Sequence, residues 1–168
     1  MTQPIPTKAQ LIEGLRSSRQ FLLDTLRPLA PEVFEQGRYE SGWNGRQILA
    51  HVASIEWTYP RLLEIPKQPP APAAPSGEPP TRTAQGGIDA YNARQVDQRA
   101  NATVAELLAE FEKNRAATIA AVEGCDEALL AAPIRSAGGV SGPLASVINS
   151  VAVQHVIGHT RDIAGSNE

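Results

Sequence analysis

The chain has 168 residues and a formal net charge of -3, with acidic and basic residues mixed along its length. This distribution presents no basic face to nucleic acid or anionic lipid, so we expect neither as a partner. No apolar stretch approaches the roughly 18 residues that span a bilayer, and the N-terminus lacks the pattern of a secretion signal. The single cysteine, Cys125, allows no internal disulfide. We therefore expect one cytoplasmic domain over residues 1–168.

The first two predicted helices follow apolar residues at helical spacing. Helix one runs from Thr7 until Pro28 and Pro31 bound its end, and helix two follows Asn44, which can form a capping box with Gln47. Pro60 is expected to kink helix two rather than to end it. The two apolar stripes are Leu11, Leu15, Leu22 and Leu26, then Ile48, Val52, Ile55, Tyr59 and Leu62.

Residues 65–86 are rich in proline and predict an extended connector. After it come two helical pieces, one in IDAYNARQVDQRA and one that starts with Thr103 and Glu106 in capping-box spacing. We expect them to form a third helix with a break or a bend. The last helix opens at Pro143 and ends at Gly165, after a turn at the GGVSG segment. No segment alternates as a strand, so the predicted fold is an all-α four-helix bundle.

All three histidines of the chain lie on core-facing stripes. His155 and His159 are one turn apart on the last helix, and His51 lies between Ile48 and Ile55 on helix two. A buried imidazole without hydrogen-bond partners costs about 1 to 3 kcal/mol. A core histidine usually meets this cost through a backbone carbonyl, but three of them together favour a shared divalent metal ion.

The histidines meet only if helices two and four run antiparallel, because His51 lies near the start of its helix and the other two near the end of theirs. This condition predicts an up-down-down-up order, in which the connector crosses the length of the bundle. A fully extended chain of that length reaches about 70 Å, whereas a helix of 20 residues is only about 30 Å long. The connector is therefore long enough to cross, with or without covering the metal site as a lid.

Three motifs follow one another along the chain: W-x-x-x-x-I-L-x-H at the start of helix two, N-x-x-x-V at the start of helix three, and H-x-x-x-H on the last helix. The residues that carry them are Trp43, Ile48, Leu49 and His51, then Asn92 and Val96, then His155 and His159. In this order and separation the motifs resemble the DinB-like superfamily of bacterial four-helix bundles.

The resemblance implies an up-down-down-up bundle that pairs into a homodimer. It implies a divalent metal ion, nickel or zinc first and manganese or iron as further options, held by His51, His155 and His159. Some relatives use the metal with a low-molecular-weight thiol, such as mycothiol or bacillithiol, for transfer or isomerisation of a small molecule. We therefore expect a metal-dependent thiol transferase or isomerase. A metal-dependent hydrolase and a non-catalytic metal-binding, dimerising bundle are the alternatives.

Further polar residues have two interpretations each. Asp162 is either a partner for a ring N–H of the histidines or a solvated residue, and Asn92 either faces the pocket mouth or makes a hydrogen bond at a helix start. Glu56 lies about 140° from His51 around the helix, so we expect it on the solvated surface. Trp43 is expected to fix the start of helix two rather than to stack on a substrate, and Cys125 to be structural rather than a nucleophile.

Overall fold

The computed structural model describes residues 4–39, 42–68, 84 and 86–165. Its α-helices are α1 (Lys8–Leu26), α2 (Pro31–Phe34), α3 (Gly45–Glu56), α4 (Ile88–Gln98), α5 (Val104–Gly124), α6 (Leu144–Ile148) and α7 (His155–Ala164). Two 3-10 helices span Tyr59–Lys67 and Glu127–Ala131, and a π-helix, Asn149–Gln154, joins α6 to α7. Two short antiparallel strands are β1 (Pro133–Arg135) and β2 (Ser141–Pro143).

The fold is an all-α four-helix bundle whose long elements are α1, α3, α5 and the rod formed by α6, the π-helix and α7. Each of α1 and α3 packs against both α5 and α7. Among the described residues, no helix combines the length and the apolar character that crossing a membrane requires.

The helix starts follow the sequence closely. Asn44 caps α3 through the predicted box with Gln47, and Thr103 caps α5 through its box with Glu106. Each box satisfies amide groups that a helix start leaves without intrahelical partners. The predicted break in helix three lies between α4 and α5, at residues 99–103. Local side-chain chemistry therefore sets the beginning of α3, which carries His51, and of α5, which packs against it.

The prediction that helix two continues through Pro60 is wrong. α3 ends at Glu56, and the chain continues as the 3-10 helix Tyr59–Lys67. Pro60 has no N–H to donate to the Glu56 carbonyl four residues earlier, and its ring would clash with that carbonyl. This 3-10 helix also includes residues 65–67, which were predicted to be the start of the extended connector. Residues 69–83 and 85 of that connector lie outside the described part of the chain.

The expectation of a chain without strands is also wrong, although only in a small element. β1 and β2 form a hairpin, with Ile134 paired to Gly142, and the GGVSG segment supplies part of its turn and the first two residues of β2. Three residues per strand are too few to give a readable alternation. Gly139 in the turn has a φ of 90°, a conformation that glycine adopts without the steric cost of a Cβ. The hairpin leads directly into α6.

Contact pairs give the relative directions of the bundle helices. Arg16 pairs with Glu123 and Arg27 with Glu112, so α1 and α5 run antiparallel. Arg46 donates to the Arg99 carbonyl just before α5, and Asn114 donates to the Ala53 carbonyl, so α3 and α5 run parallel.

The histidine-bearing helices run in opposite directions. The start of α3 at Gly45 faces Ile163 near the end of α7, while His51 faces His155 at the start of α7. These are the directions that an up-down-down-up order requires. They bring the middle of α3 against the first turn of α7, where the three histidines lie.

Candidate metal centre

The three histidines form one cluster between α3 and α7. His51 lies in the middle of α3 and is 4% exposed, whereas His155 begins α7 and His159 follows one turn later, both half-buried. Each residue presents one ring nitrogen, and these atoms all lie within 4.8 Å of one another. The prediction that all three face inward on their helices is therefore confirmed by their positions.

The ring nitrogens of the cluster have few other partners. The Nε2 atoms of His155 and His159 lie 2.8 Å apart, and Nδ1 of His51 has no hydrogen-bond partner among the described residues. Two nitrogens on one ion at about 2.1 Å would lie about 3.0 to 3.4 Å apart. The spacing in the cluster brackets that range, so the residues fit a shared divalent cation.

Burial keeps the imidazoles neutral. It lowers the pKa of His51 to about 3, and the nearby rings of His159 and His155 act in the same direction. Burial, followed by His159, lowers the pKa of His155 to about 4, although a hydrogen bond to the Val151 backbone and the charge of Asp162 oppose the change. The pKa of His159 is also lowered by burial, although Asp162 opposes the change. Neutral imidazole is the form that binds metal ions, so the cluster is ready for coordination at neutral pH.

Tyr39 and Asp162 both lie close to Nδ1 of His159, the ring nitrogen that does not face His155. The Tyr39 hydroxyl donates to Oδ2 of Asp162 at 2.5 Å and lies 2.6 Å from Nδ1 of His159. Burial and Asp162 raise the pKa of the phenol, so the hydroxyl keeps its proton. Nδ1–H of His159 then donates to the Tyr39 oxygen, which leaves Nε2 of His159 as the free lone pair facing His155.

Asp162 is a predicted residue of the site, whereas Tyr39 has no signal in the sequence. Oδ2 of Asp162 lies 3.3 Å from Nδ1 of His159, so the carboxylate is close to the ring although it is partly exposed. Tyr39 lies in the loop between α2 and α3, where no periodicity indicates which way a side chain points. An isolated bridge between Gly37 and Asn44 folds that loop back onto the start of α3. This tertiary contact, which has no sequence signal, brings Tyr39 to the cluster.

A cavity of about 400 Å³ adjoins the cluster, with His51 and His155 in its wall. Its surface is mostly apolar, and Arg61 is the one lysine, arginine, aspartate or glutamate among the described lining residues. Arg61 lies over the Trp57 ring, 3.6 Å from the centroid, and Trp57 donates to the Tyr91 hydroxyl. The cavity thus has the size and the lining of a small-molecule site.

The structure separates the two interpretations of Asn92. This residue lies within α4, four residues after its first residue Ile88, so it makes no helix-start bond. It lines the cavity, and its Oδ1 is buried without a hydrogen-bond partner among the described residues. A buried amide oxygen without a partner is costly in an empty site. Asn92 is therefore placed where it can bind a ligand.

Two other residues serve packing. Trp43 is half-buried against the hydrophobic core, and its ring centroid lies 5.5 Å from that of His51. It does not line the cavity. Cys125 follows the end of α5, where its thiol donates to the Val122 carbonyl, and it is also absent from the cavity wall.

The expectation that Glu56 is solvated is wrong. Glu56 and Arg115 are both 0% exposed and form a two-pronged ion pair of 2.6 and 3.0 Å. Burial raises the pKa of Glu56, while Arg115 and the Thr118 hydroxyl oppose the change. The side of α3 that points away from His51 is covered by α5, so both sides of the helix are buried. Glu56 is not a member of the histidine cluster.

Comparison with known proteins identifies the family. A family model for the DinB superfamily matches residues 15–163. A solved structure of YfiT from Bacillus subtilis, described as a probable metal-dependent hydrolase with an unusual four-helix bundle topology, superposes with a TM-score of 0.71. It shares 13% sequence identity, over 98% of this chain and 89% of YfiT. No curated protein sequence matches. Because the family model spans most of its length, the chain belongs to the DinB superfamily.

Proposed function

We propose that the protein is a divalent-metal-dependent enzyme acting on a small molecule. In this proposal His51, His155 and His159 hold the cation, with nickel or zinc as the first choices, and the substrate occupies the adjoining cavity. One observation carries the proposal: three neutral imidazoles converge beside a mostly apolar cavity, and two of them, His51 and His155, line its wall. A purely structural metal site does not require such a cavity.

The composition of the cluster supports catalysis over a closed structural site. Among the described residues, the cluster contains three possible ligands and no fourth histidine, cysteine, aspartate or glutamate. Structural zinc sites are usually filled by four protein ligands, whereas catalytic sites keep one position open. When bound, the cation lowers the pKa of a thiol or of water and so supplies thiolate or hydroxide at neutral pH.

Thiol transfer or isomerisation is the specific reaction that we propose. Cys125, the single cysteine of the chain, does not line the cavity and its thiol is bonded to a backbone carbonyl. A thiol that reacts at the cluster must therefore come from a separate molecule, such as mycothiol or bacillithiol. The cavity of about 400 Å³ accommodates part of such a thiol beside a small electrophile.

Hydrolysis is the second candidate, and the structural likeness to YfiT favours it. That protein is described as a probable metal-dependent hydrolase and has the same bundle fold. In this chain, hydrolysis would use the same cavity, with Asn92 and the aromatic residues binding the substrate. The two candidates differ in whether a thiol is required for turnover.

The first test is the metal content of protein purified without a histidine tag, measured by inductively coupled plasma mass spectrometry. We expect about one divalent ion per chain in the native protein and almost none in His155→Ala. Gln154→Ala, an exposed neighbour, is the matched control and should keep its metal. Metal retained by His155→Ala would overturn the ligand assignment.

The second test is turnover of the metal-loaded protein on an activated aryl halide and on an activated ester, each with and without thiol. Product from the halide that requires thiol would support the transferase. Ester cleavage that needs no thiol would support the hydrolase. No turnover on a broad set of either substrate class, with metal bound, would favour a non-catalytic metal-binding bundle.

A further inference from the structure

The last helix of the bundle changes its winding immediately before the histidine pair. The π-helix Asn149–Gln154 separates α6 from α7, and the His155 amide donates to the Ser150 carbonyl five residues earlier. A π-helical turn contains an extra residue compared with an α-helical turn, and it is stable only where the surroundings support it. His155 is the first residue after this segment.

Two buried side chains donate hydrogen bonds to carbonyls of the π-helix. The Tyr59 hydroxyl donates to the Val151 carbonyl at 2.6 Å, and Nη2 of Arg115 donates to the Ala152 carbonyl at 2.6 Å. Tyr59 is 3% exposed and Arg115 is fully buried. Burial raises the pKa of Tyr59, so its hydroxyl stays a donor. Adjacent carbonyls of the irregular turn thus receive partners from outside the helix.

Arg115, the second of these two donors, is itself held by hydrogen bonds to three other residues. Arg115 uses its remaining N–H groups on Glu56, on the Leu15 carbonyl and on the Ser18 hydroxyl, so all five guanidinium hydrogens are bonded. Glu56 lies on α3, five residues after His51. The network therefore connects the helix that carries His51 to the turn that precedes His155.

The extra residue sets the direction of the histidine pair. Each helical residue contributes a rotation of about 100° and a rise of about 1.5 Å. A regular α-helix with one residue fewer would turn His155 and His159 by about 100° relative to α6. Because α6 is anchored by buried residues such as Leu144 and Ile148, that rotation would move the pair away from His51.

We propose that Tyr59 and Arg115 are positioning residues, which hold the π-helix so that His155 faces His51 and His159. The proposal rests on the proposed function only where the histidines are taken to bind a cation. The arrangement of the rings in the metal-free protein is a separate consequence, and it can be tested without metal. Neither residue needs to contact the cation or the substrate for this role.

The first experiment measures Ni²⁺ affinity by isothermal titration calorimetry for the wild type, Tyr59→Phe and Ser18→Ala. Ser18→Ala is the matched control because it removes a buried hydrogen bond of 2.7 Å to the same guanidinium, on the side away from the π-helix. We expect Tyr59→Phe to raise the Kd about tenfold and Ser18→Ala to leave it within about twofold. An unchanged Kd for Tyr59→Phe, or an equal loss in Ser18→Ala, would overturn the proposal.

The second experiment uses metal-free protein and a deletion of Ser150, which removes the extra residue. In the wild type, the ring centroids of His51 and His155 are 5.3 Å apart, so nuclear Overhauser effects between their ring protons are expected. We expect these signals to disappear in the deletion and to weaken in Tyr59→Phe. Their persistence at full strength in Tyr59→Phe would contradict the positioning role, even if the deletion fails to fold. If the wild type binds no Ni²⁺, the proposed function fails, and these ring signals alone decide the positioning role.

Discussion

Nδ1 of His159 lies 2.6 Å from the phenol oxygen of Tyr39. This contact selects the imidazole tautomer, because a donor at Nδ1 leaves Nε2 free. We predict that Tyr39→Phe lowers the affinity for nickel or zinc 10- to 100-fold, as is typical when the partner of a metal-binding histidine is lost. Isothermal titration calorimetry measures the effect. Tyr91→Phe is the control, since that hydroxyl bonds to Trp57 instead, and an equal loss there would argue against the tautomer effect.

The buried pair of Glu56 and Arg115 predicts a large asymmetry between single and double substitutions. Arg115→Met leaves the Glu56 carboxyl buried without its cationic partner, and we expect it to lower the free energy of unfolding by about 3 to 5 kcal/mol. Combining it with Glu56→Gln removes the unpaired charge and should recover a large part of that loss. Urea unfolding curves of the three proteins test this. A single variant within about 1 kcal/mol of the wild type would contradict the prediction.

The histidine cluster predicts that metal-free protein is destabilised by mild acid. The folded state lowers the pKa of His51 to about 3 and that of His155 to about 4, from the ordinary histidine value of 6.5. Below pH 6.5 the unfolded chain therefore binds protons that the folded chain does not bind, and stability falls until the folded pKa values are reached. We expect a loss of about 2 kcal/mol for each of these histidines between pH 7 and pH 5.

Denaturant unfolding in the presence of a chelator, repeated across that pH range, measures this loss. The control is the double variant His51→Gln with His155→Gln, which should show a flatter profile. An equally steep profile in that variant would assign the effect to other groups.

Substitution of Asn92 is expected to weaken ligand binding without lowering the stability of the fold. Its Oδ1 is buried in the cavity wall without a partner among the described residues, so its removal sacrifices no observed hydrogen bond of that atom. We expect Asn92→Ala to keep the free energy of unfolding within about 1 kcal/mol and to raise the KM of whichever substrate the turnover screen identifies. Thermal unfolding and steady-state kinetics test the two parts. A strong destabilisation with unchanged KM would assign Asn92 to packing.

The sequence predicted the parts of the site that depend on helical periodicity. His51, His155 and His159 lie on apolar stripes, and the capping residues of α3 and α5 have local partners three positions later. Periodicity can be read from each helix without knowing what packs against it. The core-facing positions of the three histidines could therefore be predicted before any contact between helices was known.

The remaining parts depend on contacts between elements. The angle of about 140° between Glu56 and His51 correctly predicted that the two side chains point in different directions. It could not show that α5 packs against the side of α3 where Glu56 lies. From the sequence alone, Arg115 would be assigned to the charged surface. Its burial follows only from the packing of α1, α3 and the π-helix around it. The π-helix itself has no sequence signature in this chain, because its winding is stabilised by Tyr59 and Arg115 from other elements.

The guanidinium of Arg115 also has a kinetic consequence. Its partners Leu15, Glu56 and Ala152 come from three other parts of the chain, about 100, 59 and 37 residues away in sequence. A partial assembly would leave the charge both dehydrated and incompletely bonded, which is unfavourable. We therefore expect the burial of Arg115 to be a late and cooperative step of folding, completed only when all of its partners are in place. The last helix would then acquire its irregular turn only as the bundle closes.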